Sequence, residues 1–287
     1  MISYNPKDWF TFIFRFHKAD TFRQLLPVII SIGIYTGIIA FLEMEYFQLS
    51  ENHHLKNITI MHSMLGFVIS LLLVFRTNTA YDRWWEGRKQ WGALVNSSRN
   101  LALKLSALLE TKEDKLFFRK AIPYYAYALN LHLKNEKINH ELFEEFNINI
   151  DHKKHKPNQL IKLIMKKLHE LKKGNKLTDE QLLYINPELT SFTDICGACE
   201  RIKNTPIPYS YSVFLKKFIF FYVMTLPFGY VFNLGYYTIP VVIFIFYVLA
   251  SLELIAEEIE EPFGNDENDL PTERMAENIK KNIEEIL

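Results

Sequence analysis

Two short groups of residues have the types and spacing that support chemistry. Cys196 and Cys199 form a CxxC motif, which is typical of a redox pair or of half of a zinc site. No second CxxC and no adjacent histidine accompanies it, so we favour two small residues packed on a helix. His53, His54 and His62 can bind a metal or titrate. We favour a solvated pair in a loop and one packed ring.

Motifs of the common enzyme classes are missing from the sequence. There is no GxxxxGK[ST], no GxGxxG, no HExxH and no GxSxG. The 33 lysines and arginines balance the 33 aspartates and glutamates, so the net charge does not indicate nucleic acid as a partner. We therefore predict that the protein is not an enzyme, requires no cofactor and binds no nucleic acid.

The elements that must position these residues are apolar runs separated by charged segments. Four runs are long enough to cross a bilayer and predict transmembrane helices at 25–42, 58–75, 211–234 and 236–255. The remaining residues show helical periodicity, so the fold class is an all-α membrane protein with a helical cytosolic domain.

Basic residues near the predicted spans indicate the topology. Lys56 alone lies on one side, and the other side holds Arg15, Lys18, Arg23, Arg76, Arg83, Arg88, Lys216 and Lys217. By the positive-inside rule, both termini of this multi-pass membrane protein are predicted to be cytoplasmic. We predict four parts. Residues 1–75 hold an interfacial segment and two spans, and residues 76–210 form a cytosolic domain. Residues 211–255 hold two further spans, and residues 256–287 form an acidic tail whose last helix starts at Asp269.

The second predicted span carries two lines of side chains. Phe67, Leu71 and Phe75 follow at i, i+4 and i+8 along one face. Beside them lies a line of small or hydroxylated residues, which favours close helix–helix packing, and it consists of Thr59, Ser63, Gly66 and Ser70. Both faces can simply pack or meet lipid. The sharper hypothesis is a symmetric oligomer in which the apolar line surrounds a pore.

Three blocks are specific enough to suggest a family: LLLVFRTNTAYDRWWEGRKQWG, GACERIKNTPIPYSYSVFLKKF and EPFGNDEND. In this order they resemble the bestrophin family of ion channels, in particular its bacterial members. The resemblance implies a homopentamer with one central pore, an apolar neck in the membrane and a second constriction in the cytosolic part. An ungapped match at the RWW block places the neck on Phe67, Leu71 and Phe75. For the cytosolic constriction we choose Ile185, with Leu183 next.

The resemblance also implies a tentative calcium site and leaves the permeant ion open. Animal bestrophins bind calcium after a PFG sequence, where this chain has Asp266 and Asp269, and a solvated acidic turn is the alternative. The resemblance implies chloride and other small anions for animal members, and monovalent cations are the alternative for a bacterial member. Phenylalanine ring edges favour anions, whereas the acidic loop at 43–57 and the acidic tail favour cations. We choose anions because of the wider family. The expected partners are further copies of the chain, the lipid bilayer and small inorganic ions. A membrane-anchored scaffold that passes no ions is the alternative from another class.

Overall fold

The computed structural model describes residues 21–48, 58–136, 151 and 154–287. Within them lie eight α-helices: α1 Thr21–Phe41, α2 Ile58–Leu108, α3 Lys112–Leu133, α4 Lys156–Lys173, α5 Asp179–Asn204, α6 Tyr209–Leu234, α7 Thr238–Glu260 and α8 Thr272–Ile286. None of the described residues lies in a β-strand. His53, His54 and nearly all of the predicted interfacial segment lie outside the described residues.

The chain divides into two compact units. The apolar unit contains described residues 21–48, 58–82 and 206–260, and the polar unit contains the described parts of Arg83–Thr205 and Glu261–Leu287. Helix α2 contributes to both, because it runs for 51 residues without a proline while its composition changes from apolar to charged. The sequence-based bounds at 75, 210 and 255 concern the membrane surface, and they stay predictions.

Three continuous helical stretches are long and apolar enough to cross a membrane: Thr21–Tyr46, Ile58–Leu108 and Tyr209–Glu260. The third is divided by a turn of 3-10 helix at Gly235–Tyr237. Gly235 has a φ of +54°, a left-handed conformation that glycine adopts without steric cost. This turn separates α6 from α7, so the third stretch supplies two of the four predicted spans.

Side-chain pairings give the helix directions inside the apolar unit. Thr59 of α2 donates to the Gly229 carbonyl, and further along α2 the Leu72 carbonyl accepts from the Tyr211 hydroxyl. The partner numbers fall as those of α2 rise, so α2 and α6 are antiparallel. Gly33 of α1 lies against Ile243 of α7, at a separation where a Cβ would meet the isoleucine at 2.9 Å. A larger residue at this position would require the isoleucine side chain to shift.

The polar unit is built on a continuous buried core of aromatic and aliphatic side chains. Tyr125 of α3 stacks on Phe192 of α5 with 4.8 Å between ring centroids, and its hydroxyl donates to the Phe192 carbonyl at 2.6 Å. Trp91 of α2 is fully buried in the same core. Helix α5 begins with a capping box, in which the side chains of Thr178 and Gln181 each bond the other's backbone amide.

The start of the last helix differs from the sequence-based expectation. Helix α8 begins at Thr272, with Pro271 as its N-cap, and Asp269 does not cap it. The Asp269 carboxylate instead accepts a hydrogen bond from the Asp266 backbone amide at 2.6 Å. Helix α8 therefore starts without a side-chain cap.

Candidate pore helix and neighbouring sites

The predicted neck residues lie on a single exposed face of α2. Phe67, Leu71 and Phe75 have exposed fractions of 70%, 46% and 57%. The opposite face of the same helix is buried, through Ile69 and Leu73, in the core of the apolar unit. The structure therefore leaves an apolar line available to a pore, to lipid or to another copy, and the neck assignment itself stays a prediction.

The line of small residues divides into two pairs. Thr59 and Gly66 pack inside the chain against α6, where a Cβ on Gly66 would lie 2.8 Å from the Tyr222 hydroxyl. Ser63 and Ser70 are exposed, and their hydroxyls donate back to the carbonyls four residues earlier, at 3.2 and 2.8 Å. Thr59 and Gly66 therefore pack closely against another helix of the same chain. Contact between copies through this line stays a prediction.

The two candidates for the cytosolic constriction differ in exposure. Ile185 is completely buried in the core of the polar unit, whereas Leu183 is 73% exposed. A side chain that lines a pore must be accessible on the surface of its own subunit. This requirement disfavours Ile185, our first choice from the sequence, and favours Leu183, which is two residues away on α5. The constriction itself stays a prediction.

Arg76 lies where the apolar part of α2 ends, and it is one of the basic residues on which the predicted topology depends. It is 1% exposed, and its guanidinium pairs with Glu253 at 3.4 Å and with Glu260 at 2.7 Å. A charge is retained in such a position only when opposite charges compensate its lost hydration. The ion pair therefore joins α2 to α7. The signal in the sequence was Glu253, a carboxylate inside an otherwise apolar span.

The three blocks that carry the family resemblance meet inside the polar unit. Arg83 of the RWW block donates to the Thr205 carbonyl at 2.5 Å and to the Ile202 carbonyl at 2.6 Å, at the end of α5. The Trp84 indole donates to the Asn268 carbonyl at 3.1 Å. A cation at a helix C-terminus satisfies orphan carbonyls and opposes the helix dipole. The block therefore fastens the end of α5 and the acidic segment to α2.

The two candidate calcium ligands occupy a tight turn after the PFG sequence. Asp269 is 2% exposed, and its second carboxylate oxygen, Oδ1, is buried without a hydrogen-bond partner. Burial, together with repulsion from Asp266 and Glu261, raises the pKa of Asp269 to about 7. The hydrogen bond from the Asp266 amide lowers this pKa, but it does not outweigh the burial. Hard oxygen donors with an uncompensated charge fit a calcium ion. Binding itself stays a prediction.

The cysteines and His62 lie in packed positions. Cys196 and Cys199 are buried free thiols in the core of the polar unit. Burial raises the pKa of Cys196 to about 12, so its nucleophilic thiolate form is scarce near neutral pH. His62 is buried between α2 and α6, with Nε2 3.0 Å from the Thr225 hydroxyl. These environments favour the packing roles predicted from the sequence.

Comparison with known proteins identifies the family. The model for bacterial and fungal bestrophin proteins matches residues 1–285. A voltage-dependent anion channel-forming protein of Nostoc is 38% identical over 230 residues, which are 77% of this chain and 75% of that protein. The protein of the same name from Escherichia coli K12, YneE, is 30% identical over 222 residues, or 76% and 73% of the two chains.

A solved structure shares the fold. The bacterial bestrophin homologue of Klebsiella pneumoniae, crystallised with a mutation, superposes with a TM-score of 0.80 at 25% sequence identity. The match covers 92% of this chain and 98% of that one. Sequence and structure thus agree over nearly the whole length, which confirms the resemblance inferred from the three blocks. The chain belongs to the bacterial and fungal bestrophin family and is a helical membrane protein.

Proposed function

We propose that five copies of this chain form a channel in the inner membrane that passes small monovalent anions passively, with both termini in the cytoplasm. Family membership confirms the coarser prediction of an ion-channel protein that is not an enzyme. The observation that carries the proposal is the exposed apolar line of Phe67, Leu71 and Phe75, opposite the buried face of α2. Rings of such side chains gate pores by dewetting.

Anions are favoured over cations by two arguments. The curated relatives in Nostoc and Escherichia coli are named as anion channel-forming proteins. Phenylalanine ring edges are partially positive, so two rings of phenylalanine in a narrow neck attract an anion that has lost part of its hydration. The neck positions carry no full charge, so this preference is modest and depends on neck width.

A second constriction and a calcium site complete the proposal. Leu183, exposed on α5, forms the cytosolic constriction, and the exposed Tyr184 lies beside it. Lys104 of α2 donates to the Tyr184 carbonyl at 2.7 Å and pairs with Glu188 at 2.7 Å, so a cation is held beside this position. Calcium binds at Asp266 and Asp269, where it neutralises the buried carboxylate.

The sign of the reversal potential in a potassium chloride gradient tests the selectivity. Purified protein in liposomes or planar bilayers is expected to reverse toward the chloride equilibrium potential. Reversal toward the potassium potential would indicate a cation channel of the same architecture. Absence of current, with protein correctly inserted, would favour a membrane-anchored scaffold. The detergent-solubilised particle should have a protein mass five times that of the 34.0 kDa chain.

Truncation of the apolar line tests the neck. Phe67→Ala and Leu71→Ala should raise conductance severalfold, because a wider and less continuous apolar ring lowers the dewetting barrier. The matched control is Phe244→Ala on α7, since Phe244 is an exposed phenylalanine of the same unit, 66% accessible. Its conductance should equal that of the parent protein. An equal response at Phe67 and Phe244 would exclude α2 as the pore helix.

A further inference from the structure

A cluster of three side chains in the polar unit contains none of the residues assigned to the proposed ion pathway. His132 lies at the end of α3, His155 is the N-cap of α4, and Glu200 lies on α5. The Nε2 atoms of both histidines are 2.6 Å from the same carboxylate oxygen, Glu200 Oε1. The imidazole ring centres are 4.4 Å apart. Three separate helices thus present two imidazole nitrogens and a carboxylate oxygen to one point.

We propose that His132, His155 and Glu200 form a binding site for a divalent transition-metal ion of the zinc class. The three ligand atoms lie within 4.8 Å of one another. Zinc bonds of 2.0–2.1 Å in a tetrahedron separate ligand atoms by about 3.3 Å, so small side-chain rotations admit the ion. Two imidazoles and one carboxylate leave a coordination position for water, as in open zinc sites.

Partial burial and local charge support a metal at this point. The side chains of His132, His155 and Glu200 are 27%, 31% and 29% exposed, so an ion can enter from solvent. Burial, opposed by the Glu200 hydrogen bond, leaves the pKa of His132 lowered, which favours the neutral ligand form. Burial would raise the pKa of Glu200, but the two imidazole bonds outweigh it and keep the carboxylate ionised.

A neighbouring cation, Lys203, is held by other partners. Lys203, one turn along α5, directs its ammonium group to the backbone carbonyls of His132 and Leu133 and to the Asn135 side chain at 2.7 Å. These bonds fasten the end of α3 to α5. Cys196 and Cys199 precede Glu200 on the same helix, but their sulfur atoms are not part of the ligand group.

Metal binding has a defined cost at His155. Its Nδ1 accepts the Asn158 backbone amide at 3.2 Å, so the neutral ring carries its proton on Nε2. An ion on Nε2 displaces that proton, so the neutral ring carries its proton on Nδ1 instead. A protonated Nδ1 cannot accept from the Asn158 amide, and the long N-cap hydrogen bond is lost. The metal exchanges this weak cap for a link between α3, α4 and α5.

Thermal unfolding of the full-length protein tests the site. Protein stripped with a chelator and desalted should bind about one Zn²⁺ per chain, and its unfolding midpoint should rise by several degrees in excess ZnCl₂. Equal MgCl₂ should not raise it, because Mg²⁺ prefers oxygen ligands. Absence of zinc binding would overturn the proposal and would identify the cluster as a hydrogen-bonded clasp only.

Two conservative variants and two controls assign the ligands. Glu200→Gln and His155→Asn should each weaken zinc binding at least tenfold, and Asn at 155 still serves as an N-cap. His169→Asn changes an exposed histidine of the same helix, and Asp269→Asn removes the candidate calcium ligand. Both controls should bind zinc like the parent protein. Unchanged binding in the first pair, or equal loss in the controls, would overturn the assignment.

X-ray absorption on the zinc-loaded parent protein decides the question even if a variant fails to fold. The expected first shell has nitrogen and oxygen at about 2.0–2.1 Å, with the outer-shell signature of two imidazoles. A sulfur shell at about 2.3 Å would assign the ion to the cysteines and overturn the proposal. A spectrum without two imidazoles would overturn it as well. Neither readout depends on ion conduction.

Discussion

The apolar unit and the polar unit hold phenylalanines in opposite environments, on the exposed surface in the first and in the buried core in the second. Phe221 of α6, in the apolar unit, is 64% exposed, whereas Phe192 of α5, in the polar unit, is completely buried. Water penalises exposed apolar area by about 25 cal/mol per Å², and a lipid environment removes that penalty. The distribution therefore favours the apolar unit as the one solvated by lipid, although the described residues of both units form helices and no strand.

The arginines of α2 show the same contrast for charge. Arg76, in the apolar unit, is buried and paired with two glutamates of α7, whereas Arg83, in the polar unit, is half-buried and bonded to backbone carbonyls. In the first environment a cation requires full ionic compensation. In the second, carbonyls at a helix end accept from the guanidinium, and the side chain keeps access to water. Four predictions test this contrast, in order of decreasing effect.

The largest effect is expected from Arg76→Ala. This substitution removes the cation that pairs with both Glu253 and Glu260 in the apolar unit, which costs about 3–5 kcal/mol of stability. We expect loss of the folded particle in size-exclusion chromatography. Arg99→Ala, at an exposed arginine of the same helix, should behave like the parent protein. A combined Arg76→Met, Glu253→Gln, Glu260→Gln variant should recover most of the loss, and failure to recover would show that the arginine acts through packing.

A matched pair of phenylalanines measures the difference between the two surfaces directly. Phe192→Ala should lower the free energy of unfolding by about 3–5 kcal/mol, since it removes a fully buried ring and leaves a cavity. Phe221→Ala should change it by less than about 1 kcal/mol, because its exposed ring loses few protein contacts. Thermal unfolding in detergent provides the comparison. Equal losses would mean that Phe221 is buried in the assembled protein.

A smaller effect is expected at the end of α5. Arg83→Ala removes two charged hydrogen bonds to the carbonyls of Ile202 and Thr205 and should cost about 1–2 kcal/mol. Arg83→Lys should recover part of this loss, because an ammonium group retains the charge without the two-pronged geometry. The control is Arg88→Ala, at an exposed position one turn further on. A lysine variant as unstable as the alanine variant would assign the effect to geometry rather than charge.

The smallest and most specific effect is a pair of opposite pH dependences within the polar unit. Asp114 is buried, which alone would raise its pKa, but bonds from Lys176, Thr111 and Lys167 lower the pKa to about 2. Its stabilisation is present above about pH 4 and is lost as the pH falls through about 2. Asp269, with a pKa raised to about 7, contributes stability below about pH 4 that is lost as the pH rises to about 7.

Two asparagine variants separate these contributions. In the absence of divalent cations, Asp114→Asn should lower the unfolding midpoint at pH 7, while Asp269→Asn should raise it. Added calcium should reduce the advantage of Asp269→Asn, because the ion compensates the buried carboxylate of the parent protein. A lower midpoint for Asp269→Asn in calcium-free buffer at pH 7 would contradict the raised pKa.

Periodicity and apolar run length predicted much of the fold. The four spans match α1, the first part of α2, α6 and α7, because apolar length and turn residues are local properties. The exposed line of Phe67, Leu71 and Phe75 also follows from helical spacing. Ile185 and Leu183 could not be separated in the same way. They are two residues apart on one helix, and only packing decides which of them is buried.

The sequence by itself determined a helical membrane protein, its family and the helix face that carries the apolar line, since these depend on residue order along one chain. The tertiary structure alone decided which charged and polar groups meet. Arg76 pairs with glutamates about 180 residues later, and His132 meets His155 and Glu200 from three helices. Such contacts depend on how separate helices approach, and no local periodicity records that approach. The long helix α2 shows both kinds of information. Its change from apolar to charged residues can be read from the sequence, whereas the residues that it contacts are known only from the tertiary structure.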